Sequence, residues 1–459
     1  MMKKILALLL ALTFVLSLAA CGTTKPSAEE PNTSDTQTDA PESDASDSSE
    51  SNEAVELTFW TFVDPENGTS EREVVLKKLI EGFENEHPGV TVTVNTTAFS
   101  DLDAKFMAAC VTGDAPDLIQ FSPASLSTFI DAGYLEAFED NFMSDWSDDE
   151  IALYNNANFN VTDDAGKHYV MTLFESFFLI YYRADLFEAN DIDPASIKTW
   201  DDLFAAAEKL SYVDENGTQV YGFASSYGSA VDQPSNYLFV QLINQDGSIL
   251  NEDGTPNAWS GELGQAALQK QLDLVDAGVT PVSNVSAASQ DDILTDFCSG
   301  IYGTMIASSA RITSVQGLAT FGAENVGVMP FPADDDTTLI SWDLGIWSNS
   351  QHKEEAGAFI EYITSAAADE MWVTEAHQIP LRSDTAAATA DFLTQEGNEW
   401  LATCADIVAN HTWAYPTKVS INSLCLLVAE TVPSVYEDGL SVEDALKRAE
   451  EGFIAANSR

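Results

Sequence analysis

The chain has 459 residues, 74 Asp plus Glu against 19 Lys plus Arg, and a formal net charge of −55 at pH 7. Nucleic-acid binding is excluded as a main function, because affinity for a phosphate backbone rests on cationic side chains that neutralise it. With 45% hydrophobic and 10% aromatic residues there is apolar material for more than one core, and the only long apolar run lies at the extreme N-terminus, which excludes a multi-span membrane protein.

That first run starts from Met1-Met2-Lys3-Lys4 and continues apolar from Ile5 to Ala20. It is too short and too abruptly ended for a comfortable transmembrane helix, and reads as a signal peptide over residues 1–20. It closes with Leu18-Ala19-Ala20-Cys21-Gly22, which resembles the lipobox of bacterial lipoproteins; the resemblance implies cleavage before Cys21 and acylation of its thiol, a membrane anchor. Residues 21–54 then turn to Ser, Thr, Asp, Glu and Pro with scarcely a large apolar side chain. Such a stretch cannot offset the entropy of folding, so it is expected to be a disordered acidic tether.

The folded body begins at residue 55. In VELTFWTF (55–62) Val55, Leu57 and Phe59 alternate with Glu56, Thr58 and Trp60, the period of a strand with two faces. Ser70-Glu71-Arg72-Glu73 has capping-box spacing, Val75, Leu76, Leu79, Ile80 and Phe83 form a helical stripe, and His87-Pro88-Gly89 stops it. Val90, Val92 and Val94 alternate as a second strand, Leu102 to Cys110 forms a helix ended by Gly113, and Asp117 to Phe121 is a third strand. This order predicts an α/β layer with a mostly parallel sheet. Further helices are expected at 200–210, 262–277, 291–299, 353–368 and 441–456. Cys110 and Cys298 fall on helical apolar patterns as buried thiols, and whether Cys404 and Cys425 meet is open. Asp214-Glu215-Asn216-Gly217 and Asn251-Glu252-Asp253-Gly254-Thr255 read as turns, since neither has the terminal bidentate Glu of a calcium loop. No metal-ligand spacing, Lys-tipped phosphate loop or cofactor motif occurs, so no metal or cofactor is expected.

Several segments in this order carry a resemblance: Phe59-Trp60, FENEHPGVTV (83–92), GDAPDLIQF (113–121), GYLEAF (133–138), YYRADLFEANDIDPASIKTWDDLFAAAEKL (181–210), FCSGIYGTMIASSARI (297–312), VGVMPFP (326–332) and KEEAGAFIEYITS (353–365). From residue 55 onward the chain resembles extracellular solute-binding protein family 1, the carbohydrate-capturing subunits of ABC importers. The resemblance implies a two-lobed, periplasmic-binding-protein-like α/β fold of type II. Its lobes are discontinuous, 55–168 with 344–384 and 169–343 with 385–459, with hinge crossings near Tyr169-Val170, Asp343 and Asp384 and a ligand cleft between the lobes. Independent of any family, ligands of open sheets lie beyond the carboxyl ends of strands, and pockets favour domain interfaces.

A sugar offers apolar C–H faces that stack on aromatic rings and hydroxyls that bond well to carboxylates and guanidinium groups. Trp60, Trp259, Trp342, Trp347, Trp372 and Trp413 lie near Gly, Pro, Asp or Ser, where a loop is plausible; Trp200 and Trp400 fall on helical patterns as packing residues. The resemblance places Trp60 and Asp64 among first-lobe ligand residues, Phe121 and Ser122 in a ligand loop, and Glu175 as a carboxylate at the hinge side of the cleft. A charged group among Leu173, Phe174, Phe177 and Phe178 is expensive to bury unless something uses it. Arg311 stands where members present an aromatic, and is either a stacking and hydrogen-bonding group, a mark of an acidic ligand, or the partner of an acid. Trp342 and Asp343 are cleft candidates by position, as are Tyr227 and Asp232. The function expected is capture of a carbohydrate, delivered to the membrane permease of an ABC importer by a monomeric, lipid-anchored receptor on the outer face of the cytoplasmic membrane. The alternatives are a secreted glycoside hydrolase, since paired carboxylates flanked by Trp also describe that chemistry, and a surface lipoprotein that binds glycans without transport.

Overall fold

A computed structural model describes residues 54–121, 125–154, 159, 162–163, 165–225, 227, 237–245, 248–251, 253–285, 289–334, 336–413 and 419–457. The leader, Cys21, the tether, Ser122 and Asp232 lie outside them.

The body starts with β1 (Val55–Thr61), which buries Leu57, Phe59 and Thr61 and turns Glu56, Thr58 and Trp60 to the other face. Helix α1 (Glu71–Glu86) buries Val75, Leu76, Leu79, Ile80 and Phe83, and its start is fixed by the Ser70 amide donating to Glu73 Oε2 at 2.6 Å. β2 (Val90–Thr96) runs parallel to β1. Helix α2 (Phe99–Thr112) ends on Gly113 at φ +82°, a left-handed turn that favours a residue without Cβ. β3 (Leu118–Phe121), the short α3 (Leu126–Asp131) and β4 (Met171–Ser176) complete this run.

The second run comprises β5 (Phe178–Arg183), α4 (Trp200–Leu210), β6 (Tyr212–Val213), β7 (Gln219–Ala224), α5 (Leu238–Asn244), α6 (Glu262–Asp276), α7 (Gln290–Cys298), β8 (Tyr302–Ser308), α8 (Ile312–Leu318) and β9 (Val326–Met329). The chain returns through β10 (Thr337–Thr338) and β11 (Ile340–Ile346) to α9 (Lys353–Ile363) and α10 (Ala366–Ala376). It closes with α11 (Glu399–Asn410), β12 (Thr412–Trp413), α12 (Ile421–Ala429), α13 (Thr431–Tyr436) and α14 (Val442–Asn457). The single helix expected over 353–368 is two: the first ends at Thr364, and Ser365 caps the second by accepting from the Ala368 amide.

Two five-stranded sheets result, ordered β2-β1-β3-β11-β4 and β6-β7-β8-β5-β9. Each is covered on both faces. In the first, Leu57, Phe59 and Leu118 pack with Phe83 and Phe359, while Ile119 and Phe121 pack with Phe106 and Phe129. In the second, Phe178 and Ile180 join Trp200, Phe223 and Trp259, while Leu179 and Tyr181 join Phe297, Met305 and Ile407. Fully burying side chains of this size contributes about 1.5–3 kcal/mol each. Helix α4 lies so close on β7 that a Cβ at Gly222 would overlap the Ala207 carbonyl, so glycine there sets the approach of helix and strand.

The sheets are mixed, not mostly parallel. β1, β2 and β3 are parallel, as are β7 and β8, but β11 runs antiparallel to both β3 and β4, and β5 antiparallel to both β8 and β9. The reason is the crossing. β4 ends at Ser176 in the first sheet and β5 begins at Phe178 in the second; β10 leads through Leu339 into β11. A strand that enters a sheet from the shared edge must run opposite to the strands that end there, and β5 and β11 are those strands. Phe177 thus lies between β4 of the first sheet and β5 of the second, and Leu339 between β10 and β11. The run LFESFFLIYY is buried on both sides of the break, so its apolar pattern gives no sign that one strand becomes two.

Candidate functional site

The register places the carboxyl ends of β1, β3 and β4, and the start of β11, at one edge of the first sheet. The ends of β7 and β8 and the start of β5 share the corresponding edge of the second. These two edges are joined by the crossing strands. Hydrogen bonds clasp the junction: Ser309 N donates to the Phe177 carbonyl at 2.8 Å, Phe177 N donates to Ser309 Oγ at 3.2 Å, and Phe178 N donates to Thr337 Oγ1 at 3.2 Å.

Aromatic rings gather here. Trp342 on β11 meets Phe62, just past β1, edge to face at 4.7 Å, and Phe99, the first residue of α2, at 5.9 Å. Trp342 is half-buried and packs against the main cores of both sheets, whereas Phe99 is 50% exposed. An exposed aromatic supported by two others is a stacking surface of the kind a sugar ring needs. Trp60 lies partly buried on the neighbouring face of β1, against the Phe106 and Phe121 group.

The strand paired with β11 carries a carboxylate cluster, Glu175 standing opposite Ser341 and Phe174 opposite Trp342. Glu175 on β4 is 5% exposed, and its Oε1 has no hydrogen-bond partner. Burial pushes its carboxyl up to about 8, and the charges of Asp343 and Asp369 push the same way. At neutral pH it is therefore mostly protonated and able to donate. Asp343 is fully buried and accepts from Thr172 Oγ1 at 2.8 Å and Ser341 Oγ at 2.9 Å. Asp369 accepts from the Leu381 and Arg382 amides, yet burial raises it to about 6. Glu175 lines a cavity with Ser309 and Thr313 from the second sheet's side, His377 at the end of α10, and Trp400 of α11. The space open to a water centre is about 20 Å³, room for about one water, so a sugar ring enters only if the walls part.

The other anticipated residues divide. Asp64 accepts from the Glu66 and Asn67 amides at 3.1 and 3.0 Å, which hold its carboxylate ionised in a local turn. Arg311 is exposed, and its Nη2 donates to Asp291 Oδ1 at 3.1 Å. Phe121 requires correction: it is fully buried against Phe129 and presents no face to the cleft. Tyr227, 2% exposed within the second core, and Asp343, bound up by its neighbours, are likewise interior residues. Among the tryptophans, Trp259 donates to the Ile249 carbonyl and Trp372, on a helix, to the Ile363 carbonyl, both from fully buried positions. Trp347 is also buried, and the Trp413 side chain lies outside the described residues. No disulfide joins the described cysteines; Cys404 and Cys425 belong to different apolar groups.

Sequence reasoning missed Phe62, Phe99, His377 and Arg72. Phe62 and Phe99 flank the ends of predicted elements, where an apolar residue has no periodic partner to bury it; that was the available signal. Arg72 lies over the Phe174 ring at 5.5 Å, and nothing in its helical position distinguished it.

Two mixed α/β lobes joined by crossing strands, with an aromatic and carboxylate cleft at the junction, define a two-lobed ligand-binding protein. The profile of the bacterial extracellular solute-binding protein family matches residues 67–370, and the chain belongs to that family. An arabinooligosaccharide-binding protein of Bacillus subtilis is 22% identical over 203 residues, 42% of this chain and 45% of that one. An uncharacterised ABC transporter extracellular-binding protein of Pyrococcus horikoshii is 26% identical over 181 residues, 37% of each chain. The matched stretch thus spans less than half the length of these curated relatives. Among solved structures, the GacH receptor of Streptomyces glaucescens, determined without ligand and with acarbose, has a TM-score of 0.72 at 21% identity, covering 88% of this chain and 99% of that one. A substrate-binding protein of Listeria monocytogenes in complex with cycloalternan has a TM-score of 0.72 at 20% identity with the same coverage. At these identities the likeness is one of fold.

Proposed function

We propose that the protein captures a carbohydrate in the cleft between its lobes and delivers it to the permease of an ABC importer. The observation that carries this is that the paired ends of β4 and β11, at the junction of the two sheets, bear both the aromatic surface of Trp342 with the exposed Phe99 and the buried Glu175 carboxyl, whose Oε1 has no hydrogen-bond partner. The relatives named for arabinooligosaccharides, acarbose and cycloalternan support a saccharide as cargo. The lobes proposed run 55–176 with 340–388, and 177–339 with 399–459; the passage of the chain from the first sheet to the second after Ser176, and back into the first at Ile340, supports the first two crossings. The ligand selects the closed form because only there do both lobes touch it, and the permease reads that form. Cys21 is the acylated anchor, residues 22–54 the tether, and the monomer the working unit on the outer face of the membrane.

Binding without cleavage is the reading favoured over hydrolysis. A glycosidase needs two carboxyl groups on either side of the bond, whereas among the described residues Glu175 is the one carboxyl that lines the cavity. Thermal unfolding of the purified protein against mono- and oligosaccharides tests this, since ligand at 100 times its dissociation constant adds about 2.7 kcal/mol to the native state. An upward shift with one class of sugar, recovered intact, is expected. Shortened product would establish a hydrolase instead.

A further inference from the structure

We propose that capture of the sugar loads a proton: the closed form holds the Glu175 carboxyl protonated and the open form releases it, so each sugar bound takes up about one proton from solvent and each one delivered gives it back. The inference rests on the carbohydrate-receptor reading and adds a second ligand, the proton, to the same cleft.

Glu175 is enclosed from both sides of the junction. It stands next to the end of β4, opposite Ser341 of β11. The cavity it lines is walled by His377 and Gln378 just past α10, by Ser309 and Thr313 just past β8, and by Trp400 of α11. Helix α11 belongs with the second sheet, since its Cys404 and Ile407 pack with Leu179 of β5 and Met305 of β8. Walls from the second lobe therefore keep solvent off a carboxyl that is 5% exposed, and they leave it only when the lobes part.

No opposite charge offsets this enclosure. Glu175 Oε1 has no hydrogen-bond partner, and the cationic groups on the elements around it are engaged elsewhere. Arg72 of α1 lies over the Phe174 ring at 5.5 Å, Arg311 at the start of α8 donates to Asp291, Arg382 donates to Asp384, and His377 Nδ1 lies 2.9 Å from Glu71 Oε2. Burial pushes the Cys404 thiol up, so it stays neutral. An ionised carboxylate in such a place is costly, and a proton on Oε1 removes the cost. Burial first, and then the acids Asp343 and Asp369, act in that direction on the Glu175 carboxyl. Those two acids depend less on closure: Asp343 accepts from hydroxyls of its own sheet, Thr172 and Ser341, and Asp369 from the Leu381 and Arg382 amides just past its own helix.

When the lobes part, water solvates the charged form of Glu175 and its proton leaves; when they close, an O–H bond forms at Oε1 with a proton from solvent. The sugar selects the closed form, so sugar affinity and proton affinity rise together. The closed form binds more protons than the open one. Affinity is therefore greatest in acid, falls as pH rises between the ordinary glutamate value of about 4.3 and about 8, and levels off on either side.

Calorimetric titration of the purified protein with neutral mono- and oligosaccharides, maltotriose and arabinotriose among them, in phosphate and in Tris at neutral pH, tests this. A neutral sugar has no titrating group, so a binding heat that differs between buffers in proportion to their ionisation enthalpies counts protons taken up by the protein. Uptake of about one proton is expected, with affinity falling at least tenfold from about pH 5.5 to about pH 7.5. Glu175→Gln is expected to lose both the uptake and the pH slope, whatever its affinity, and His377→Gln to keep them, which separates the carboxyl from the imidazole. Should Glu175→Gln bind too weakly to titrate, the infrared difference between sugar-bound and free wild-type protein decides: a carboxylic-acid C=O band gained on binding is expected, and no such band would overturn the proposal. Tight binding with equal heats in both buffers, or uptake kept in Glu175→Gln and lost in His377→Gln, would overturn proton loading at Glu175 and leave the receptor standing. No binding of any of these sugars would overturn the carbohydrate reading and this inference with it.

Discussion

At Glu175 burial and the charges of Asp343 and Asp369 point the same way. An unfolded chain releases a Glu proton near about 4.3, while the native carboxyl holds it to about 8. Between those values the native state binds more protons than the unfolded one, so this group makes stability fall as pH rises through the window, and its contribution levels off above about 8. Asp369, raised to about 6, adds the same sign over the lower part. Glu175→Gln, a neutral mimic of the protonated form, is expected to flatten the slope and to be the more stable protein at pH 8, by about a few kcal/mol. Melting temperatures from pH 5 to 8 check it; parallel curves for the two proteins would mean that Glu175 is ionised in the native state. Its oddity was legible in the sequence as an acid inside an apolar strand. What could not be read was that Asp343, by rank an equal candidate, is neutralised as a ligand group by two hydroxyls on neighbouring strand positions, or that Phe121 turns inward. Both depend on which strand lies alongside.

The elements themselves were largely written in their periodicity. Ser70 and Gly113 bound their helices where capping chemistry puts them, and the alternation of β1 gives its two faces. Strand direction was not legible, because a segment's pattern shows which side is buried and is silent on which way its neighbour runs. That gap hid the neighbours of Trp342, a cleft candidate by position, which leans on Phe62 and Phe99 at the start of β11. Phe99→Ala removes an exposed ring at a helix start, and is expected to weaken sugar binding about tenfold, or about 1.4 kcal/mol, with unchanged melting temperature. Trp342→Ala is expected to lose similar affinity and also about 3 kcal/mol of stability, since its ring fills space against both cores. Calorimetric titration paired with urea unfolding separates the two effects. Undiminished affinity in Phe99→Ala would remove this aromatic group from the site.

For the whole molecule, a cavity with room for about one water means that capture requires the lobes to open about their crossings and then close. The radius of gyration in solution is expected to be larger without sugar than with it, and small-angle scattering at saturating ligand measures the difference; equal values would leave no role for a hinge. The arrangement of β11 has a consequence for biogenesis as well. β3 finds its second neighbour, and β4 its only one among the described strands, in a strand that is made after every strand of the second sheet. As the chain emerges N-terminus first, the edge of β3 stays unpaired until that long loop has closed, which slows folding and leaves an aggregation-prone edge exposed in the meantime. The segment that completes the binding cleft is also the one that seals the first lobe, so a chain interrupted before Ile340 fails as a folded body before it fails as a receptor.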